Sequence, residues 1–256
     1  MAETVSDAPP KGEELAGKVA LITGASRNIG RMIARSLAAG GASVMINANS
    51  SKEAAIEAVE QVEAEGGAAA YYIADVSNPE AVDAMVEETV RRFGRLDFLI
   101  NNHTVRDQVP FEEMSYERWR QVVSVILDGA FLTCRSAVPH IIEAGSGAIV
   151  NISGQHGISG SRRGAHVGAA KMGLIGLTKA LALDLAQYGI SVNCVAPGLI
   201  NTELASGGLA HAQARTPLGR LGTMQEVAAL VRMLCGPQVR YITGQTIHVN
   251  GGGLMP

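Results

Sequence analysis

The stretch that decides the fold is KVALITGASRNIG, residues 18–30, in which a short apolar run ends at a glycine turn. The run KVALIT (18–23) indicates a buried strand, and the apolar spacing after the turn indicates a helix over about 29–39. Glycines at such a turn let the backbone approach a pyrophosphate, and the first turn of the helix offers free N–H groups and a partial positive charge. The stretch therefore predicts a strand–turn–helix unit that binds a dinucleotide.

Apolar runs and amphipathic segments keep alternating from this unit to the end of the chain. The runs predict strands over 42–47, 68–74, 96–101, 147–153, 190–196 and 246–250, and the amphipathic segments predict helices over 52–66, 79–93, 116–144 with a bend near Pro139, 165–188 and 224–235. Strands that alternate with helices pair in parallel through right-handed crossovers, and uniformly apolar strands are typical of sheets covered on both faces. We therefore predict an α/β fold, a single-domain Rossmann-type doubly wound parallel sheet of about seven strands flanked by helices.

With 256 residues, of which 47% are hydrophobic, the chain can bury one large core. The unbroken alternation favours a single domain over residues 17–256, preceded by a disordered leader over 1–16 that has few apolar side chains. A net charge of −3 without a basic stripe argues against nucleic acid as a partner. The acidic N-terminus lacks the apolar core of a signal peptide, and no apolar run approaches the ~20 residues that span a bilayer. We therefore expect no membrane partner.

The three cysteines, Cys134, Cys194 and Cys235, each stand in an apolar run and lack CxxC spacing. This pattern is typical of buried thiols that stay reduced. We therefore expect a cytoplasmic protein without structural disulfides.

Further motifs stand at the ends of the later predicted strands. They are Asp75-Val76 after the third strand, Asn101-Asn102 after the fourth, PGLINT (197–202) after the sixth, and the ending ITGQTIHVNGG (242–252). Together with TGASRNIG these motifs resemble, in order, those of the short-chain dehydrogenase/reductase family, and the pattern is closest to its 3-ketoacyl-ACP reductases. The resemblance covers residues 18–252 and implies a nicotinamide dinucleotide cofactor.

The resemblance assigns contacts with this cofactor to residues of the motifs. It implies that Lys171 bonds the nicotinamide ribose hydroxyls, with Asn101 packed nearby. The remaining contacts fall to Gly24, Ser26, Ile29 and Gly30 for the pyrophosphate and adenosine ribose, to Asp75 and Val76 for adenine, and to the Pro197-Gly198 segment, with Ile200 and Thr202 on the carboxamide.

The end of the second predicted strand bears on the choice between NADP and NAD. Enzymes that use NAD usually place an acid there to bind the ribose 2′-hydroxyl. This chain has Ala48 followed by Asn49, and Arg27 in the glycine turn can pair with a 2′-phosphate. An exposed arginine is also common as a solvated surface charge. We predict a preference for NADP(H), with NAD(H) as the alternative cofactor.

The family's chemistry uses an Asn, a Ser, a Tyr and a Lys, and of these only the Lys is present, as Lys171. The Tyr exchanges a proton with the substrate while the Lys lowers its pKa. The position of the Tyr, four residues before Lys171, is Val167, and the positions of the Ser and the Asn are Gly154 and Ile126. None of these three side chains can give or take a proton, although Ser153 lies next to one of them. The sequence therefore predicts cofactor binding without the family's proton donor.

Three histidines stand near the same edge of the predicted sheet. His103 follows the fourth strand, His156 follows the fifth beside the vacant Ser position, and His166 precedes Val167. A histidine with a pKa near 6.5 can act as an acid or a base at neutral pH. We take His156 and His166, with Lys171, as the catalytic candidates, and a structural role is the alternative for each histidine. Their spacings match no local metal motif, so we expect no metal.

Three functions remain open at this point. The first is an NADP(H)-dependent oxidoreductase that acts on a small carbonyl or alcohol with a proton donor other than tyrosine, which the complete set of cofactor motifs favours. The second is a non-redox lyase, hydratase or tautomerase, because fold does not fix chemistry. The third is a cofactor-binding protein without catalysis, which the loss of three catalytic groups favours.

Two further expectations concern the surroundings of the site. The segment about 201–217, with Gly207-Gly208 and little periodicity, looks like the family's mobile substrate lid. Arg106, Asp107 and the pair Arg162-Arg163 flank the same mouth, where the pair can meet an anionic substrate or stay solvated. The family forms dimers and tetramers through the two long helices and the last strand, so we expect a homo-oligomer.

Overall fold

A computed structural model of the chain describes residues 8–202 and 216–256. The strands in this part of the chain are β1 (Val19–Ile22), β2 (Ser43–Ala48), β3 (Ala68–Ile73), β4 (Phe98–Asn101), β5 (Gly147–Ile152), β6 (Ile190–Pro197) and β7 (Thr246–Val249). The helices are α1 (Asn28–Ala39), α2 (Lys52–Ala64), α3 (Pro79–Phe93), α4 (Tyr116–Val123), α5 (Gly129–Glu143), α6 (Gln155–Ser159), α7 (Ala165–Leu185) and α8 (Met224–Cys235). A π-helical turn, Ser124–Asp128, joins α4 to α5.

The strands form one seven-stranded parallel sheet in the order β3-β2-β1-β4-β5-β6-β7. From β1 the chain adds β2 and β3 on one side, and from β4 it adds β5, β6 and β7 on the other side. The loops that follow β1 and β4 therefore diverge and leave a crevice between them at the carboxyl edge. Ile22 pairs with Ile100, and Asn101 pairs with Asn151, which brings the ends of three central strands together. The predicted doubly wound α/β fold is confirmed, and this crevice is where such sheets bind ligands.

Alternating residues of the strands supply two hydrophobic cores, one on each face of the sheet. On β1, Ala20 and Ile22 belong to the core under α1, α2 and α8, whereas Val19 and Leu21 belong to the core under α3, α5 and α7. All four side chains are buried, because helices cover both faces. The loops at the carboxyl edge are therefore attached to a rigid base.

The long helical segment before β5 is irregular at the π-helical turn and not at Pro139. α5 continues through Pro139, which lies on the exposed face, where the carbonyl freed by the missing N–H can reach water. The helix is therefore continuous through Pro139, and the bend expected there stays a prediction. By length and composition the helix Tyr116–Glu143 is apolar enough to cross a bilayer, and half of its most apolar window is buried against the rest of the fold.

Residues 8–16 lie against the domain, which differs from the disordered leader expected over 1–16. Leu15 is buried in the core under α1, and its N–H donates to the carbonyl oxygen of Gly40 at 2.9 Å. Arg232 on α8 donates to Glu14 at 2.6 Å and to the carbonyl oxygen of Pro10 at 2.6 Å. One buried leucine and one arginine thus anchor a segment whose composition is otherwise polar. Residues 1–7 of the expected leader lie outside the described residues, as do residues 203–215 of the expected lid.

Candidate functional site

The turn between β1 and α1 is built so that two positions require glycine. Gly24 has a left-handed backbone, with φ at +58°, and a Cβ there would lie 2.9 Å from Cα of His103. A Cβ on Gly30 would lie 2.5 Å from Nδ2 of Asn102. That amide donates to the carbonyl oxygens of Thr23 at 3.2 Å and Gly24 at 2.8 Å, which ties the turn to the end of β4. The turn thus presents bare backbone at the start of α1, as a pyrophosphate site requires.

Asn28 stands where the family's motif has its middle glycine, and its backbone is left-handed, with φ at +50°. Asparagine is one of the few residues other than glycine that adopts this conformation at low cost. The turn therefore keeps the shape that the motif needs despite the change in residue type.

Asn47, which is buried in β2, supports the turn from the other side. Its Oδ1 accepts a hydrogen bond from the N–H of Gly24 at 3.2 Å, and its Nδ2 donates to the carbonyl oxygen of Ala74 at 3.0 Å. Its own carbonyl oxygen accepts from the N–H of Ala25 at 2.8 Å. Asn47 therefore fixes the ends of β1, β2 and β3 relative to one another.

The residues expected at the adenosine end lie around the ends of β2 and β3. Arg27 is exposed before α1, and its Nη2 donates to Oγ of Ser51 at 3.0 Å, across the end of β2 where Asn49 is also exposed. Val76 is buried, and its Cγ2 would lie 3.0 Å from a Cβ on Gly129. The residues from 48 to 52 include no carboxylate, so no negative charge from this stretch faces the guanidinium.

Asp75, the exposed residue between β3 and Val76, is held in a turn of its own. Its Oδ1 accepts hydrogen bonds from the N–H and the hydroxyl of Ser77, at 2.9 and 2.7 Å. Ser26 is buried within the glycine turn, and Ile29 packs against the core under α1. The structure therefore places the residues predicted for the adenosine half at one end of the crevice.

His103 is buried after β4, beside the crevice between β1 and β4, and its ring bonds residues of the fold. Its Nδ1 lies 2.7 Å from Oγ1 of Thr23, and its ring also bonds the backbone of Ile126. Burial lowers the pKa of His103 to about 3, with a smaller contribution in the same direction from the charge of Lys171. The ring is therefore neutral at physiological pH and acts as a spacer between the glycine turn and the π-helical turn.

Lys171 lies on α7 with its ammonium at the end of β5. Its Nζ donates to the carbonyl oxygen of Ile152 at 2.7 Å, and the residue is only 7% exposed. Burial lowers the pKa of Lys171 to about 8, while the neighbouring Cys194 acts in the opposite direction. Ser153 is buried, and its hydroxyl proton is committed inside the fold, because its Oγ donates to the carbonyl oxygen of Lys171 at 3.1 Å.

The family's Asn, Ser, Tyr and Lys form its catalytic tetrad, and three of the four tetrad positions are vacant here: they hold apolar side chains or a glycine. Ile126, in the π-helical turn, belongs to a small hydrophobic cluster with Val167 and Trp119. A Cβ on Gly154 would meet the carbonyl oxygen of Pro197 at 3.9 Å, an ordinary van der Waals contact, so the position is not crowded but carries no side chain. These positions hold no group that can exchange a proton with a substrate.

His166 is fully buried and is paired with a residue of the loop after β4. Its Nε2 lies 2.8 Å from Oδ2 of Asp107, and its Nδ1 is buried without a hydrogen-bond partner among the described residues. Asp107 also accepts from Arg118 on α4, and these two bonds hold the pKa of Asp107 well below its usual range. The Asp107 contacts therefore fasten this loop to α4 and to the start of α7.

His156 is exposed on α6, whereas His103 and His166 are buried. In the described ranges 8–202 and 216–256, no three His, Cys, Asp or Glu side chains are grouped so that they could hold a metal ion. His103 bonds Thr23 and His166 bonds Asp107, which gives each of these two a structural partner.

The nicotinamide end of the crevice fits the implied cofactor because it contains buried polar atoms that lack partners. Oγ1 of Thr202 and Oε1 of Gln155 are buried without a hydrogen bond in the part of the chain that the structure describes. Oε1 of Gln155 would lie 3.0 Å from a Cβ on Gly198, the residue that follows Pro197 at the end of β6. Ile200 is buried nearby, beside Gly222. Unpaired buried oxygens are costly, and a carboxamide can satisfy them.

Asn101 is fully engaged inside the fold. Its Nδ2 donates to Oδ1 of Asn151 at 2.9 Å, and its Oδ1 accepts from the hydroxyl of Thr133 at 2.7 Å. Asn151 in turn donates to Thr178 on α7 at 2.9 Å. The side chain of Asn101 therefore joins α5 to α7 through the sheet, and only its backbone is left for a cofactor contact.

The family model described as enoyl-(acyl carrier protein) reductase matches residues 24–253. The chain belongs to the short-chain dehydrogenase/reductase family. The 3-oxoacyl-(acyl-carrier-protein) reductase of Staphylococcus aureus is 41% identical over 242 residues, which are 93% of this chain and 98% of that relative. The 3β-hydroxysteroid dehydrogenase 1 of Eggerthella lenta is 38% identical over 247 residues, or 94% of this chain and 95% of the relative. A solved dehydrogenase/reductase of Sinorhizobium meliloti has a TM-score of 0.89 and 36% identity, covering 94% of this chain and 96% of that one.

Four residues of this short-chain dehydrogenase/reductase were missed from the predicted site. From the sequence, Asn47 is only a residue of the second strand, and Asn102 belongs to a motif without an assigned contact. The sequence places Asp107 only at the mouth of the site, and no motif marks Gln155 beyond its position after Gly154. A polar residue inside an apolar strand, as Asn47 is in ASVMIN, is the one signal that marks such a residue in advance, because buried polar groups need partners.

Proposed function

We propose that this short-chain dehydrogenase/reductase uses NADP(H) to interconvert a small carbonyl compound and its alcohol, with a proton donor other than tyrosine. The observation that carries the proposal is the arrangement at the carboxyl edge of the sheet, with the glycine turn on one side and, on the other, Lys171 and the oxygen of Thr202 that has no partner among the described residues. The names of two relatives support the reaction class, since a 3-oxoacyl reductase and a 3β-hydroxysteroid dehydrogenase both act on a carbonyl/alcohol pair.

The chain's own residues bind and orient, while the cofactor, when bound, supplies the hydride. The free amides at the start of α1 hold the pyrophosphate, helped by the helix dipole. Lys171 donates to the ribose of the nicotinamide half, and Thr202 and Gln155 are placed to bond its carboxamide. The apolar cluster around Ile126 and Val167 keeps water away from the reacting carbon.

The preference for NADP(H) follows from charge at the adenosine end. Arg27 and the hydroxyl of Ser51 lie together, and no carboxylate is present from 48 to 52 to repel a 2′-phosphate. We expect NADPH to bind at least tenfold more tightly than NADH in a fluorescence titration. Arg27→Ala should remove most of this difference and leave the affinity for NADH nearly unchanged. Equal or tighter binding of NADH by the wild type would contradict the preference.

A second candidate function, cofactor binding without turnover, is favoured by the apolar filling of the tetrad positions. Ile126 and Val167 pack into one hydrophobic cluster, so no side chain of theirs can move a proton. Such a protein would act as a sensor or a partner that responds to the cofactor.

One assay separates these functions. NADPH absorbance is followed with a panel of small ketones and aldehydes, the products are analysed, and cofactor binding is measured in the same samples. Oxidation of NADPH with formation of alcohol supports the proposed function. Binding without turnover supports the second candidate, and a changed substrate without any change in absorbance indicates a lyase, hydratase or tautomerase.

The proposal also covers the localisation, oligomeric state and partners of the protein. We infer a cytoplasmic homo-oligomer, a dimer or a tetramer, with a small-molecule substrate and with neither nucleic acid nor membrane as a partner. The three buried, unbridged thiols and the exposed apolar side chains on α5 and α7 support this. A substrate lid over about 201–217 belongs to the same proposal.

A further inference from the structure

We propose that Lys171 is itself the proton donor to the carbonyl oxygen, in place of the absent tyrosine. This assignment rests on the proposed function and goes beyond the expected contact between Lys171 and the ribose. It follows from where the ammonium lies, from how its hydrogens are used, and from what surrounds it.

Lys171 lies one helical turn after the vacant Tyr position. Residues four apart share a helix face, so Lys171 and Val167 point to the same side of α7. The neighbouring positions of the family's Asn and Ser hold the apolar Ile126 and Gly154, which has no side chain. A substrate carbonyl bound beside Val167 therefore meets only one ionisable group of the tetrad, the ammonium of Lys171.

The hydrogen bonds of Lys171 leave it able to donate further. An ammonium carries three donor hydrogens. The described contacts commit one of them, to the carbonyl oxygen of Ile152 at 2.7 Å, which fixes the end of the side chain beside β5. The remaining hydrogens can serve both the ribose and a substrate oxygen, and Val167 carries no group that competes for them.

The groups that face Lys171 leave burial as the dominant influence on its titration. Cys194 on β6 has its pKa raised to about 11 by burial, and His103 on the loop after β4 has its pKa lowered to about 3, so both are neutral near pH 7. The end of β5 contributes the uncharged Ile152, followed by Ser153, the α4 side contributes the hydrophobic cluster with Ile126, and α6 contributes the exposed His156. The pKa of Lys171 is therefore lowered to about 8, close to the pH at which a general acid works well.

The two histidine candidates are less well placed than Lys171. His166 is enclosed, and its Nε2 is committed to Asp107. His156 is exposed to solvent on α6, and the part of it that lies against α7 is its carbonyl oxygen, 3.6 Å from a Cβ on Gly168.

The step balances without a further reactant. In the reduction the carbonyl carbon takes the hydride that NADPH supplies, and the carbonyl oxygen takes a proton from Lys171. An N–H bond of the ammonium breaks, an O–H bond of the alcohol forms, and Lys171 is left as a neutral amine. Water then returns a proton to the amine.

The kinetic test is the pH dependence of ketone reduction. Because Lys171 donates only when protonated, kcat of the wild type should fall about tenfold per pH unit above pH 8. Arginine keeps the charge but cannot be deprotonated in this range, so Lys171→Arg should lower kcat by about 100-fold or more while the Kd for NADPH changes less than tenfold. The matched control is Lys179→Arg, an exposed lysine on the same helix, which should leave both values unchanged. Val167→Tyr should raise kcat and move the alkaline limb, because a phenol then donates.

A second readout does not depend on turnover. The protein is labelled with [13Cε]lysine, the Lys171 signal is assigned by its loss in Lys171→Arg, and its titration is followed by NMR with and without NADPH. A midpoint near pH 8 supports the assignment, and a midpoint above pH 10 overturns it. An alkaline limb that persists in Lys171→Arg, or that disappears in His156→Ala or His166→Gln, also overturns it. If NADPH binds but the wild type reduces no carbonyl compound, the proposed function itself fails, and the donor role fails with it.

Discussion

At the scale of single residues, Asn28 shows how this chain departs from the family's motif without losing the shape of the turn. Its φ of +50° is a conformation that a Cβ makes costly for most residues. Asn28→Ala and Asn28→Gly both remove the side-chain amide, so they differ only in the Cβ. We expect the alanine variant to be less stable than the glycine variant by about 1 kcal/mol. Urea denaturation measures this difference, and equal midpoints would contradict it.

The residues that the sequence could indicate are those whose chemistry belongs to a local pattern. Gly24 and Gly30 stand in one turn. Lys171 stands four residues after Val167, which occupies the position of the family's tyrosine. The partners of Asn47 and Asp107 lie far away along the chain, just after β3 and on α4 and α7, and only the fold brings them together. Asn101 illustrates the same limit, because its place in the motif did not show that its side chain is used inside the core.

At the scale of elements, the loop after β4 is fastened to two helices by Asp107. It accepts hydrogen bonds from Arg118 and lies 2.8 Å from Nε2 of His166, and next to it the N–H of Val109 donates to the carbonyl oxygen of Arg163 at 2.8 Å. Asp107→Asn removes the charge and keeps the shape. We expect a loss of about 1 kcal/mol of stability at pH 7, measured by urea denaturation.

The pH dependence of this contact has a definite sign. The pKa of Asp107 is lowered in the folded protein, so its contribution is complete above the unfolded value of about 3.9 and is lost as the pH falls through the folded value. The stability difference between wild type and Asp107→Asn should therefore be constant from pH 7 to about pH 5 and shrink below pH 4. A difference that grows toward acid pH would contradict this reasoning. Asp83→Asn, on α3, is the control for the loss of one carboxylate.

The elements themselves were largely predictable, because the strands are uniformly apolar and the helices are bounded by turn residues. A single π-helical turn is too short to change the hydrophobic period of a long helix. The sequence therefore does not predict the π-helical turn Ser124–Asp128. The short α6 was missed because five residues are too few to show a period. Both elements lie beside vacant tetrad positions, where local structure is set by the packing of the site and less by propensity.

At the scale of the whole molecule, apolar side chains remain exposed on the two long helices. Phe131 on α5 is 49% exposed, and Met172 and Leu183 on α7 are 47% and 82% exposed. Exposed apolar side chains can form an interface, and in a twofold-symmetric oligomer the same patch of each subunit faces its copy. We therefore propose that these side chains take part in the subunit contact.

The oligomer can be tested by placing a charge on this surface. Leu183→Asp and Phe131→Asp should each shift the protein toward a smaller species in sizing chromatography with light scattering, because a buried, unpaired carboxylate is costly at an interface. Phe111→Asp is the matched control, since Phe111 is 74% exposed but lies on the loop before α4. A wild-type monomer at micromolar concentration would contradict the proposed oligomer. If the variants dissociate and still bind NADPH, each subunit holds a complete cofactor crevice, as the single sheet that contains Gly24 and Lys171 at its carboxyl edge leads us to expect.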